Sequence, residues 1–235
     1  MYALDAPVWH SLIGPHAHLA LARGRARRYP AEVSPFAAVE SLDEDALLDL
    51  AALTPAGEAV ALFAPEQPLP GARWTRLMQL DGRQMVCERG VAPPAREPSP
   101  LGPADVESML ALTKRADPGP FEPRTIEMGR YVGFKDPAGR LLAMGGERMR
   151  PTGYTELSGI CTAPEVRGQG FAEAIVRAVA SGIQARGEIP FLHVRIGSPA
   201  ERTAVALYER VGFTERRRFS LDVVQRLTRR DRDAV

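Results

Sequence analysis

The sequence predicts an α/β protein with a mixed sheet, antiparallel in one part and parallel in another. Three strand-like segments joined by short turns follow one another between residues 130 and 162, a pattern typical of an antiparallel meander. A glycine turn, a helix at about 170–186 and a strand at 191–196 come next. Strands on both sides of a helical crossover indicate a parallel pair within the same sheet.

The N-terminal part, residues 1–95, is predicted to form a smaller α/β domain. Its pattern favours a helix at 43–53 and strands at 59–63 and 74–80, and it ends in the strand-like run QMVCE. Five prolines then fall between residues 89 and 103. Because prolines and glycines break both helices and strands, we expect a linker at 96–102 and a second domain at 103–235.

Each element of the second domain has its own signal. Pro103, Ala104 and Asp105 resemble a helix start, and apolar residues at helical spacing follow them. The meander strands are expected at 130–135, 141–149 and 154–162. A helix at about 201–211 and a pair of strands through 213–224 complete the predicted domain.

Composition and charge point to a small-molecule partner. Thirty basic and 29 acidic side chains leave a formal charge of +1, so no overall field attracts nucleic acid or an anionic membrane. Seven arginines between Arg216 and Arg232 are a local excess. Without interleaved aromatic residues, we interpret them as a solvated strand and tail, and we do not expect a nucleic-acid site.

The sequence favours a protein of the bacterial cytoplasm. Its two cysteines are far apart and outside any CxxC pattern, and no signal peptide or membrane span is recognisable. Two lysines among 30 basic residues suggest a GC-rich bacterial genome.

His16 and His18 could supply two metal ligands, but no cysteine or carboxylate cluster accompanies them, so we predict no metal.

The most informative stretch runs from Glu156 to Ala172, where a strand leads through a glycine turn directly into a helix. The first amides of a helix have no partner within it, and the helix dipole adds positive potential there. Gly168 and Gly170 carry no side chain that would hold an anion away. The turn is therefore a candidate anion site.

A Gly-x-Gly turn alone also fits a tight connection with no ligand. No Gly-Lys-Ser/Thr follows, which excludes a nucleoside triphosphate loop, and no suitably placed acidic residue indicates a dinucleotide fold. Arg167–Ala172, RGQGFA, resembles the R/Q-x-x-G-x-G/A signature of the GNAT N-acetyltransferase superfamily. Residues 204–213, AVALYERVGF, are similar to its later A-x-x-L-Y-x-x-x-G-F block.

The resemblance covers about 103–225. In amino-acid sequence, the C-terminal half looks most similar to bacterial members that resemble glycine N-acyltransferases. In that branch the N-terminal half is often a degenerate copy of the same GNAT fold, which would suit residues 1–95.

The resemblance implies a V-shaped split between the strands at 154–162 and 191–196, with acetyl-coenzyme A (acetyl-CoA) lying in it. The main chain of Ile160, Cys161 and Thr162 would bind the pantetheine arm. The turn would bind the pyrophosphate; its residues are Arg167, Gly168, Gln169, Gly170, Phe171 and Ala172. Since these contacts are mostly through the backbone, the side chain of Cys161 is interpreted as a buried filler and not as a nucleophile.

Two side chains are candidates for the chemistry of transfer. Glu156 resembles the general base of the histone-acetylating branch, and strand alternation places it on one face with Tyr154, Ser158 and Ile160. The alternatives for Glu156 are a partly exposed strand residue without a catalytic role and an ion-pair partner for Arg148.

Glu147 is a reserve candidate for the base. Tyr208 matches the family tyrosine that gives a proton to the departing thiolate; its alternative role is core packing.

One departure from the family pattern concerns cofactor affinity. Many relatives carry an asparagine seven residues before the tyrosine, where this chain has Glu201, and Ser198 is a candidate replacement.

We therefore keep two hypotheses for the function of the protein. The first is an enzyme that acetylates a primary amine of a small molecule or amino acid by direct attack in a ternary complex. The second is a non-catalytic acyl-CoA-binding sensor or assembly module. The oligomeric state is open, a homodimer included.

Overall fold

The computed structural model describes residues 2–64 and 73–228, and in them it contains five α-helices and eleven strands. The helices are α1 (Pro7–Leu12), α2 (Glu44–Leu53), α3 (Val106–Ala116), α4 (Phe171–Gln184) and α5 (Glu201–Val211). The strands are β1 (Leu21–Arg23), β2 (Ala26–Arg28), β3 (Phe36–Val39), β4 (Ala59–Ala64), β5 (Trp74–Val86), β6 (Ser99–Leu101), β7 (Tyr131–Lys135), β8 (Leu141–Glu147), β9 (Tyr154–Thr162), β10 (Ile189–Arg195) and β11 (Thr214–Arg226).

All eleven strands belong to one sheet, in the order β1-β2-β3-β4-β11-β5-β10-β9-β8-β7-β6. The pairs β9/β10 and β3/β4 are parallel, and the remaining neighbours are antiparallel. The predicted α/β class with a mixed sheet is therefore confirmed.

The two faces of the sheet are covered by different parts of the chain. Successive strand residues point to opposite faces, and Leu192 packs with α4 and α5 while Phe191 packs with N-terminal residues. On the N-terminal side, Leu4 and Val8 from the beginning of the chain share a core with Phe191 and Met149. Residues from both ends of the sequence thus build one core behind the middle of the sheet.

The sheet also runs through both halves of the chain. Strand β11 lies between β4 and β5 and pairs with both, and β5 pairs on its other edge with β10. Within the predicted linker, Ser99–Leu101 forms the edge strand β6 beside β7. The proposed boundaries at 95 and 103 stay a prediction, but the strands they separate are hydrogen-bonded to one another.

Most of the elements predicted from the sequence are present, including the four longest helices and the meander. The predicted pair of strands at 213–224 is wrong, since one 13-residue strand, β11, spans this region. Its register shifts at Glu215/Arg217 and Val223/Val224, so the strand is irregular but not broken by a turn. Helix α1 and the short strands β1 to β3 lack a clear periodic signal and were not predicted.

His16 is an internal residue and not an exposed ligand. It is 3% exposed, its Nδ1 lies 2.9 Å from the hydroxyl of Tyr29, and burial lowers its pKa to about 4. Across residues 2–64 and 73–228, no three histidine, cysteine or acidic side chains are grouped as metal ligands. None of the helices in these ranges is long and apolar enough to cross a membrane.

Candidate active site

Strands β9 and β10 part halfway along their length. Their register runs from the pair Tyr154 and Ile189 to the pair Leu157 and Leu192 and stops there. Beyond it β9 continues beside β8, and β10 continues beside β5. Residues 158–162 therefore present main-chain groups on an edge without a partner strand. We call this opening the split, and its closed end is the Leu157–Leu192 pair.

A β-bulge lies just beyond that closed end. Between the pairs Gly146/Ser158 and Met144/Cys161, β9 uses one residue more than β8, and Gly159 has φ +65°. The extra residue reverses the alternation. Ile160 consequently packs on the α4 side with Ile175, opposite to Glu156. The prediction that Glu156 and Ile160 share a face is therefore wrong.

The start of α4 lies at the open end of the split, after the 3-10 turn Pro164–Val166 and the glycine turn that follow β9. Gly170, the N-cap residue, has φ 81° and Gly168 has φ 78°, a conformation that favours glycine at both positions. No side chain caps this helix end. In the described part of the chain, no atom beyond the adjacent residues lies within 4 Å of the position that a Cβ would take at either glycine. The first amides of α4 are thus left open to a ligand.

Two arginines that form no ion pair with the described carboxylates lie at this entrance. Arg167, in the turn, is exposed and forms no ion pair with another described residue. The guanidinium of Arg96, from the predicted linker, lies 4.9 Å from the centre of the Phe171 ring. Phe171 is the first residue of α4 and also packs on Phe134. Positive charge therefore flanks the open amides, which favours an anion there.

Glu156 is committed to an internal ion pair. The side chain is 0% exposed, and its two oxygens accept hydrogen bonds from Arg148 at 2.7 and 2.8 Å. Burial alone would raise the pKa of this carboxyl, but the charge and hydrogen bonds of Arg148, together with His193, lower it to about 2. A carboxylate so stabilised is a weak base. The structure thus favours the ion-pair alternative over direct proton abstraction.

His193 and Gln84 extend this network across the sheet, and no motif or periodic pattern in the sequence marks either residue. Nδ1 of His193 lies 2.7 Å from Glu156, and its Nε2 lies 3.0 Å from the amide nitrogen of Gln84. An amide nitrogen only donates, so Nε2 accepts and the ring proton sits on Nδ1, facing Glu156. Gln84 also donates to the carbonyl of Leu4. The network links the closed end of the split to the N-terminal half.

Glu147, the reserve candidate for the base, is also held in an ion pair. It is 6% exposed, and its Oε1 accepts a hydrogen bond of 2.8 Å from Arg186. Neither glutamate therefore offers a free carboxylate.

Tyr208 lies on α5 in the core that α4 and α5 share. It is 9% exposed and packs on Phe213, and its hydroxyl forms no hydrogen bond with another described residue. Burial raises the pKa of Tyr208 to about 12. The phenol is therefore protonated at neutral pH and able to donate a proton or a hydrogen bond.

The end of β9 carries two further candidates. Cys161 is buried against α3, and burial raises the pKa of its thiol to about 12, so it is neutral at physiological pH. Thr162 has a buried hydroxyl without a hydrogen-bond partner in the described chain. An unpaired polar atom of this kind is uncommon and fits a position that a ligand completes.

Glu201, which stands where relatives carry asparagine, is held by its own chain. Its oxygens accept hydrogen bonds from Arg83 at 2.6 Å and from the Gly197 amide at 2.7 Å. Ser198 and Glu201 both line an open groove of about 540 Å³ beside α5. Ser198 is thus accessible, whereas Glu201 is not free to replace the asparagine.

The arginines of β11 mostly have carboxylate partners. Arg216 and Arg217 bind Asp5 at 2.7 and 3.0 Å, and Arg218 contacts Glu215. Arginines 229, 230 and 232 lie outside the described residues. Three of the four described arginines of this cluster are therefore ion-paired, but through only two carboxylates.

Comparison with known proteins relates this architecture to acetyltransferases. Residues 131–221 match the model of a family described as FR47-like protein. A solved structure from Novosphingobium aromaticivorans, named as an acetyltransferase of the GNAT family, is 35% identical; the match covers 97% of this chain and 100% of that one, with a TM-score of 0.87.

More distant structures share the fold alone. A GCN5-related N-acetyltransferase from Kribbella flavida is 15% identical, with 88% of each chain covered and a TM-score of 0.56. No curated protein matches this chain.

Proposed function

This chain belongs to the GNAT family of acetyltransferases, and we propose that it moves an acetyl group from acetyl-CoA to a primary amine of a small molecule or amino acid. The observation that carries this proposal is the split between β9 and β10, which opens beside an uncapped helix start. An extended ligand with an anionic end matches both features. A fold alone does not determine the substrate, so these two features specify the cofactor more closely than they specify the amine.

The diphosphate of the cofactor would bind the turn at 167–172. Open amides at the start of α4 would donate to its oxygens, and Arg167 and Arg96 would add positive charge. The pantetheine arm would then run along the free edge of β9 at residues 160–162. The unpaired hydroxyl of Thr162 supports this path, because it needs a partner that residues 2–64 and 73–228 do not supply.

Transfer would occur by direct attack in a ternary complex. The amine nitrogen forms a bond to the thioester carbon, and the carbon–sulfur bond breaks with its electron pair on sulfur. Tyr208, whose phenol is protonated at neutral pH, would give the departing thiolate a proton, and water would then return a proton to the phenolate. No covalent enzyme intermediate is needed, and the neutral thiol of Cys161 agrees with that.

Glu156 would serve this reaction as a positioning residue and not as the direct base. Its carboxylate fixes Arg148 and the ring of His193 at the closed end of the split. The proton of the attacking amine would leave to water. This assignment replaces the general-base role expected from the sequence, because a pKa of about 2 leaves little driving force for proton uptake at neutral pH.

We also propose a compartment and a class of acceptor. Cys87 and Cys161 are both free thiols, which agrees with a reducing compartment, and we place the protein in the cytoplasm. The resemblance to the glycine N-acyltransferase-like branch favours glycine or another small amino acid as acceptor.

Calorimetric titration of acetyl-CoA, followed by thiol release with a panel of amines, tests the proposal. We expect saturable binding and release of coenzyme A that depends on one class of amine. If acetyl-CoA binds but no amine causes release of coenzyme A, the protein would instead fit an acyl-CoA sensor. The observation that favours this alternative is Glu201, which replaces the family asparagine and is held by Arg83 and the Gly197 amide. Absence of binding would exclude both functions.

A further inference from the structure

Tyr131, the first residue of β7, has a buried hydroxyl without a partner. The residue is 2% exposed, and its oxygen forms no hydrogen bond with any described residue. Buried hydroxyls in native proteins are nearly always paired, and the exceptions call for an explanation such as a functional role or a bound water. The role of this hydroxyl therefore depends on which groups lie near it.

Two glycines allow the Tyr131 ring to lie flat across the sheet. On β8, a Cβ at Gly146 would lie 2.4 Å from Cδ1 of Tyr131 and 2.5 Å from its Cγ. On β9, a Cβ at Gly159 would lie 3.5 Å from Cε1, the atom next to the carbon that bears the hydroxyl. The ring thus crosses β8 and carries its hydroxyl to the β9 bulge.

That bulge adjoins the closed end of the split. Gly159 is two residues beyond Leu157, the last residue of β9 that pairs with β10. The hydroxyl lies on the face that carries Glu156 and Arg148, whose charges act on the phenol. In the proposed function the diphosphate occupies the open end of the split, so the acyl group has to reach this closed end.

The chemistry of the phenol suits a donor. Burial raises the pKa of Tyr131 above its ordinary value, so the O–H stays protonated throughout the physiological range. A permanently protonated hydroxyl cannot remove the proton of the amine, but it can donate to an oxygen that gains negative charge.

We infer that Tyr131 is a further catalytic residue, whose hydroxyl donates a hydrogen bond to the carbonyl oxygen of the bound acyl group. The inference rests on the proposed function. As the amine nitrogen bonds to the carbonyl carbon, the π pair moves to oxygen, where Tyr131 stabilises it without giving up its proton. The pair then re-forms the carbonyl and expels the sulfur, which takes a proton from Tyr208. Acyl binding must open a path to the hydroxyl at the bulge.

The test is Tyr131→Phe, compared with wild type in binding, turnover and thermal unfolding. We expect affinity for acetyl-CoA to fall roughly two- to tenfold and affinity for coenzyme A, which lacks the acyl carbonyl, to stay unchanged. Turnover should fall about 10²-fold with KM for the amine unchanged. The unfolding midpoint should stay level or rise, because the variant removes a buried group that has no partner.

Tyr29→Phe is the matched control. The hydroxyl of Tyr29 is bonded to His16, so its loss should lower the unfolding midpoint and leave the ratio of the two affinities unchanged. A Tyr131→Phe variant with wild-type turnover and an unchanged affinity ratio overturns the inference. A lowered midpoint in that variant also overturns it, since the hydroxyl would then bind a structural water. A wild-type protein that binds neither ligand removes the proposed function, and the inference falls with it.

Discussion

The ion pair of Arg148 and Glu156 is almost completely enclosed, with side chains 10% and 0% exposed. The Arg148 guanidinium also lies 4.9 Å from the centre of the Phe36 ring, in the N-terminal half. Burying two charges is expensive, and such a pair seldom adds net stability over an apolar pair. Its place at the closed end of the split is better explained by the hydrogen bond with which Glu156 orients the ring of His193.

Removing one partner of this pair should be costly. In Glu156→Gln the Arg148 charge stays buried without compensation, and we expect the free energy of unfolding to fall by about 3 kcal/mol or more. Urea denaturation measures the change. Glu127→Gln, which removes an exposed partner of Arg124, should have a much smaller effect. Equal losses in both variants would contradict the buried pair.

The same pair predicts how stability depends on pH. The pKa of Glu156 falls from its ordinary 4.5 to about 2 on folding, so the folded state binds its proton less readily than the unfolded state. The resulting stabilisation, about 3 kcal/mol, is complete above pH 4.5 and is lost as the pH falls toward 2. Acid titration of wild type and Glu156→Gln should show a shallower loss for the variant over this window. Parallel curves would exclude the assigned pKa.

Tyr208→Phe separates proton donation from core packing. The variant keeps the ring against Phe213, so acetyl-CoA binding and the unfolding midpoint should change little. If the hydroxyl protonates the thiolate, kcat should fall about 10²-fold with KM unchanged. Tyr154→Phe, at the paired end of β9, is the control and should keep wild-type kcat. Equal kcat in all three proteins would leave Tyr208 a packing role only.

At the scale of elements, two glycines of helix α4, one at its N-cap and one in its interior, have opposite expected effects. Gly170, at φ 81°, precedes the helix, whereas Gly182 lies inside it with no atom within 4 Å of an added Cβ in the described chain. Gly170→Ala should cost about 1–2 kcal/mol through the left-handed conformation, and it should weaken acetyl-CoA binding. Gly182→Ala should stabilise by about 0.5–1 kcal/mol with unchanged binding. Thermal unfolding measures the stability of the two variants, and calorimetry measures their affinity for acetyl-CoA. Equal changes in the two variants would contradict the conformation assigned to Gly170 at the start of α4.

Sequence patterns predicted α4 and its glycine turn because helical periodicity and turn chemistry are local. The face of Ile160 was not predictable in this way, since one inserted residue at Gly159 reverses the alternation and no residue type marks a bulge unambiguously. The contact of Glu156 with His193 depends on the register of two parallel strands 37 residues apart. The candidate residues could thus be named from sequence, but not their partners.

At the scale of the molecule, the two halves depend on each other through β5. This strand is the shared neighbour of β10 and β11, and Leu4 and Val8 complete the core behind Phe191. The sequence indicated two domains because a proline-rich segment separates two patterned regions. Strand order is set by long-range pairing, which such local signals do not report.

A fragment of residues 96–235 therefore should not fold alone. Without β5 it loses the hydrogen bonds along two strands and one side of its core. We expect a circular dichroism spectrum without cooperative thermal unfolding, where the intact chain unfolds cooperatively. Cooperative unfolding of the fragment would establish an independent domain at 103–235.

The place of β11 between β4 and β5 also sets an order of events on the ribosome. Strands β4 and β5 emerge early, yet the strand that joins them, β11, is translated only after β6 to β10 and the helices α3 to α5. At about 5–20 residues per second, the nascent chain exposes their two facing edges for on the order of ten seconds. Unprotected edges of that kind recruit other strands. Recombinant yield should accordingly respond to growth temperature and to chaperone supply, even where purified protein is stable.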